Sequence, residues 1–168
     1  SEKCLKENFK ESEVKDLLIN FACIMPFPIQ DSKIIELLST QMGKKGKVIK
    51  EGMISLVGAG ILREVGNSLR FNPDMKGDLY LAYRLKDLPD TEKIKELMNL
   101  WAGHIPEKLF ANLGAATRYA KITTLETVSS EIIDSWIRST KETSALDRKK
   151  RLSLLDHICV IVPSDSLS

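Results

Sequence analysis

The residues best suited to bond-making or metal chemistry are two histidines and three cysteines, and their placement serves neither purpose. His104 and His157 each lack a second ligand-type residue at a helical metal spacing, so no metal site is expected. Cys4, Cys23 and Cys159 are odd in number and contain no close pair, which argues against both a disulfide framework and a zinc knuckle and points to a reducing, cytoplasmic location. Cys23 and Cys159 fall on apolar helical faces, where a thiol packs as a small hydrophobe. Nothing near them in sequence would lower a thiol pKa enough to make a nucleophile.

Phosphate chemistry fares no better. Gly43-Lys44-Lys45-Gly46-Lys47-Val48 lacks the four-residue gap of a Walker A loop and has Val48 where a Mg²⁺-binding hydroxyl is needed. Gly58-Ala59-Gly60 has Arg63 where the third glycine of a dinucleotide fingerprint would stand, and its order is helix then strand, the reverse of what that fingerprint requires. Both stretches read as turns, so no enzyme activity and no cofactor are expected of this chain. Lys44, Lys45, Lys47 and Lys50 could meet nucleic-acid phosphates, helped by Arg63 and Arg70. The helix they introduce turns Glu51, Ser55, Gly58 and Ala59 outward and has no Arg, Asn or Gln to address base edges. A solvated basic loop is the simpler reading. Arg148-Lys149-Lys150-Arg151 reads as a second exposed basic turn.

The elements that carry these residues follow from periodicity and punctuation. Ser12 opens a helix with Val14, Leu17, Leu18, Phe21 and Met25 at helical spacing, and Pro26 and Pro28 forbid its continuation. A second helix runs from Asp31, an N-cap, through Ile34, Ile35, Leu37, Leu38 and Met42 to Gly43. A third carries Ile49, Met53, Leu56 and Val57 on one side. The period then changes: 61–65 and 68–71 are two short extended runs joined by Gly66-Asn67, a link able to take the positive φ of a tight hairpin. Asn72-Pro73-Asp74 combines a cap, a first-turn proline and an acid, so a fourth helix is predicted from Pro73 to about Leu85. Three helices, a hairpin and a further helix, in this order, spell a winged helix with the hairpin as its wing.

From Thr91 onward the pattern is helical throughout. Ile94, Leu97, Met98 and Trp101 mark one helix, and Pro106 opens another with Leu109, Phe110, Leu113 and Ala116. Capping signals at Thr123 with Glu126 and at Ser144 with Asp147 predict two more. Short links between them make antiparallel neighbours. An echo at a spacing of 35 residues, Glu96 to Trp101 against Glu131 to Trp136, resembles a helix-pair repeat. The predicted architecture is mainly α: a winged-helix domain over 1–88, then a helical arm over 89–168 that forms an antiparallel bundle or short α-solenoid. A soft boundary falls at Leu88-Pro89-Asp90.

Composition sets the frame for these elements. The 25 basic and 23 acidic side chains leave a net charge of +2, with 43% apolar residues, values of an ordinary globular protein rather than a dedicated nucleic-acid binder. No apolar run approaches the ~20 residues of a bilayer span, and residues 1–10 alternate charge with apolar side chains where a signal peptide would have its apolar core. A membrane partner is not expected.

The stretch from Leu69 to Ala82, which includes Phe71-Asn72-Pro73-Asp74 and Gly77-Asp78, resembles the wing-to-helix junction of STAND-type P-loop NTPases, the signal-transduction ATPases that include NB-ARC proteins. Phe110-Ala111-Asn112-Leu113-Gly114-Ala115-Ala116 is similar to the Asn-Leu helix that follows in that family, and the likeness spans about residues 10–120. The resemblance implies that the chain is a piece of a longer protein whose upstream NTPase core is not included. It implies a winged helix packed on that core, followed by a helical sensor or oligomerisation surface. In the NB-ARC branch a Met-His-Asp motif stands at this junction and its His touches nucleotide phosphate. Here Asp74 matches the Asp and Pro73 replaces the His, which leaves Asp74 and Asp78 as helix-start or interdomain contacts. The expected function is thus a non-catalytic regulatory fragment coupling nucleotide state to partner binding, with Arg63, Arg70, Asp74 and Asp78 as its contacts. The alternative is a DNA-binding winged-helix regulator using Lys44, Lys45, Lys47 and Lys50. Oligomerisation through the arm is a further expectation, from the apolar stripe Leu152, Leu155, Ile158 and Val162.

Overall fold

The computed structural model describes residues 2–87 and 91–119. Within them the protein is mainly helical with one small antiparallel sheet. Its elements run α1 (Glu2–Asn8), α2 (Glu11–Ile24), β1 (Phe27–Pro28), α3 (Ser32–Met42), α4 (Gly46–Gly58), β2 (Leu62–Val65), β3 (Ser68–Phe71), α5 (Met75–Asp87), α6 (Thr91–His104) and α7 (Pro106–Thr117). None of these helices is long and apolar enough to cross a membrane. Contacts divide the chain into two compact units, Ser1–Gly77 and Asp78–Ser168. The division lies inside α5, ahead of residues 88–90, which are outside the described residues. The predicted helices at Thr123 and Ser144, the echo ending at Trp136 and the stripe from Leu152 to Val162 also lie outside them.

In the first unit the local rules act as the sequence implies. Asp31 Oδ1 accepts the backbone N–H groups of Lys33 and Ile34 at 3.0 and 3.2 Å, satisfying two of the orphan donors at the start of α3. Gly43, at φ +62°, ends that helix in the left-handed conformation, and Lys44 N–H returns to Ser39 O at 3.1 Å. The hairpin turn has Gly66 at φ +60° and no positive φ at Asn67, the sign pattern of a type II′ turn, so glycine alone supplies the conformation the link needs. Leu17, Phe21 and Ile24 of α2, Ile34 and Leu38 of α3, and Ile49 and Leu56 of α4 close a core that Leu62 and Leu69 seal from the sheet.

Two elements escape the periodicity reading. Phe27–Pro28 forms a third strand, paired antiparallel with β3 through Phe27 opposite Leu69 and Pro28 opposite Ser68, so the sheet order is β1-β3-β2. Pro28 sits at an edge, where its missing N–H costs no ladder bond. Phe27 is buried with its ring 5.7 Å from that of Phe21. The second element is α1, which packs on α4. Phe9, just beyond its end, is buried against Gly52, where a Cβ would lie 3.0 Å from the ring. Because α1, α3 and β2 all pack on α4, its buried arc is wider than the predicted stripe, and Ser55, expected to face outward, is buried.

The start of α5 is a further correction. Pro73 was expected in the first helical turn with Asn72 as the cap, yet α5 begins at Met75. Asn72 is committed to the neck of the hairpin instead, with its N–H on Ile61 O at 3.0 Å and its side-chain Nδ2 on Gly60 O at 3.3 Å. A side chain spent on the hairpin cannot cap the helix. Gly77, buried one turn on, lies so close to Phe71 that a Cβ would stand 2.7 Å from the ring.

In the second unit α6 and α7 pack together. Leu97, Met98 and Trp101 of α6 and Leu109, Phe110, Leu113 and Ala116 of α7 are buried. Pro106 opens α7 as expected, where its lack of an N–H leaves no bond unmade.

Candidate functional site

Three of the four expected contact residues converge. In the ladder Arg63 of β2 lies directly opposite Arg70 of β3. Alternation puts both on the face of the hairpin away from Leu62, Leu69 and Phe71, which point into the core. Like charges directly opposite each other destabilise a ladder, and Asp74, in the turn between β3 and α5, offsets this. Its Oδ2 is 3.1 Å from Arg63 Nη2 and 3.8 Å from Arg70 Nη1. Only the shorter contact is a hydrogen bond. Arg70 Nε is buried without a hydrogen-bond partner among the described residues. All three side chains remain between a third and three-fifths exposed. Asp78, the fourth expected contact, lies in the first turn of α5 within the second unit and has an interaction of its own.

The four lysines separate into two groups. Lys44 turns inward: its Nζ is 3.2 Å from Glu13 Oε1 and 5.1 Å from the centroid of the Phe9 ring. The Glu13 carboxyl is held below its ordinary range, first by the Lys10 backbone N–H and then by Lys44. That N–H donates to Glu13 Oε2 at 2.7 Å. Lys44 therefore joins α2 to the loop before α4. By contrast Lys45, Lys47 and Lys50 are exposed, with Lys47 making only a loose contact of 3.9 Å to Glu51. Lys47, Lys50 and Ile54 stand at i, i+3 and i+7 and share one helical face. Ile54 on that face is 68% exposed. The spacing is readable in the sequence, but Ile54 lies off the apolar stripe of Ile49, Met53, Leu56 and Val57, so the helical period gives no signal for its exposure.

Elsewhere the chemistry is sparse. Cys23 is fully buried, and burial pushes its thiol up to about 12, a value at which no useful thiolate forms at neutral pH. No group of three or more His, Cys, Asp or Glu among the described residues could hold a metal ion, and His104 is exposed at the end of α6. The second unit has a cleft of about 160 Å³ lined by Leu79, Ala82, Tyr83, Lys86 and Tyr119. Its polar groups are two phenols and an ammonium. Arg148 to Arg151, His157 and Cys159 lie outside the described residues.

No family model matches the chain, and neither the curated proteins nor the solved structures yield a match to it.

Proposed function

We propose that the chain is a non-catalytic docking module, a winged helix followed by a helical arm, that couples the nucleotide state of a STAND-type NTPase to partner binding. The winged-helix reading is supported by the order α2, β1, α3, α4, β2, β3 and by the sheet order β1-β3-β2, in which a short strand after the first helix pairs with the returning arm of the wing. In that arrangement α4 occupies the slot of the recognition helix.

The observation that carries docking is the exposed face of α4. Ile54 stands at its middle, and an apolar side chain left in water there gains free energy when a partner covers it. A module of this kind works by differential contact energy between two states of its partner. DNA binding is the second reading, favoured by the exposure of Lys45, Lys47 and Lys50 at the start of the same helix. Lys44, paired with Glu13, is already engaged within the fold.

Mixing the chain with the nucleotide-binding core of its parent, loaded with ADP or with a non-hydrolysable ATP analogue, distinguishes the two. Docking predicts a complex in one nucleotide state that Ile54→Glu weakens by about tenfold or more without lowering the melting temperature. Retardation of duplex DNA at low salt, lost when Lys45, Lys47 and Lys50 are changed to Glu, together with no complex in either state, would establish DNA binding instead.

A further inference from the structure

The cluster at the base of the wing is unevenly satisfied. Two guanidiniums approach a single carboxylate oxygen of Asp74, one at hydrogen-bond distance and the other at 3.8 Å. The three groups together carry one surplus positive charge, and Arg70 Nε has no acceptor among the described residues. Asp74 serves both arginines poorly because a single one of its oxygens, Oδ2, faces the two of them. A tetrahedral oxyanion offers three oxygens, can accept from two guanidinium forks at once, and as a dianion matches their charge. Glu64, the nearest acid along β2, falls on the opposite face by alternation.

We propose that Arg63 and Arg70 form a phosphoryl-binding site in which Asp74 is a displaceable internal occupant. Access is open, since Arg63, Arg70 and Asp74 are 45%, 38% and 55% exposed, and an exposed ion pair of this kind holds its partner weakly. When a phosphate monoester or free phosphate arrives, Asp74 swings into solvent and both arginines bond to the newcomer. The inference rests on this cluster alone and is independent of what docks on α4.

Titration of the full chain with inorganic phosphate and with phosphoserine, at constant ionic strength, tests it by calorimetry and by the amide shifts of Arg63 and Arg70. Asp74→Asn removes the competitor and its negative charge and should tighten binding by about threefold or more. Adding Arg63→Gln to that variant should abolish the gain. Lys33→Gln, which removes one exposed positive charge on α3, should leave affinity unchanged. Phosphoserine binding at least as tightly as phosphate identifies a monoester as the ligand, and binding of phosphate alone identifies the free ion. The proposal is overturned if Asp74→Asn binds no tighter than wild type while its melting temperature is retained, or if the affinity of either probe survives Arg63→Gln.

Discussion

Lys44 and Lys47 are three residues apart in one basic run, yet they answer to different physics. Lys44 lies over Phe9 and bonds Glu13, so its stem and charge are part of the packing between α2 and the start of α4. Lys47 is 86% exposed at the side chain and its ion pair is long, worth little in water. Glu13 makes the difference measurable. Its folded-state pKa lies below the ordinary 4.5, so its contribution to stability is present above that value and is lost as pH falls through the folded pKa. Glu13→Gln is therefore expected to be less stable than wild type at pH 7, with the gap closing towards pH 3. Denaturant midpoints at the two pH values check this, and an equal gap at both would remove Glu13 from its assigned role.

Helix and strand boundaries followed local signals where the capping side chain had no competing partner. Asp31 and Gly43 bracket α3 as their types require, and Gly66 turns the hairpin. Asn72 has the right type for a cap and is used elsewhere, since the Gly60 and Ile61 carbonyls lie within its reach. Sequence cannot show such a competitor eleven or twelve residues away. The same holds for Gly77, which reads as a helix-weakening residue until the Phe71 ring is seen lying against it. Gly77→Ala should improve helix propensity, yet cost about 1–3 kcal/mol through overpacking against the Phe71 ring. A thermal melt showing the variant as stable as wild type would mean that the ring can move aside freely.

At the scale of the molecule, each unit has a core of its own. Leu17, Phe21 and Leu38 anchor the first, while Trp101, Phe110 and Leu113 anchor the second. Trp101 is fully buried in α6, and Trp101→Ala is expected to cost about 3–5 kcal/mol. Hydrogen exchange should locate that loss in α6 and α7 and leave the amides of α2 and α3 protected. Equal deprotection of both units would mean that they unfold together.

What the sequence determined by itself is what depends on neighbours along the chain: the helical stripes of α2 to α4, the cap at Asp31, the glycine turn of the hairpin and the proline start of α7. What only the tertiary structure decided is what depends on partners distant in sequence. A two-residue strand that follows one proline and contains another has no period of its own, so β1 exists only because β3 offers it a ladder. Which lysine turns inward was settled by Phe9 and Glu13, more than thirty positions away in sequence from Lys44. Ser55 is buried because three elements pack on α4. Local propensity acts over one or two turns of chain, whereas burial is fixed by whichever surfaces the folded chain brings together.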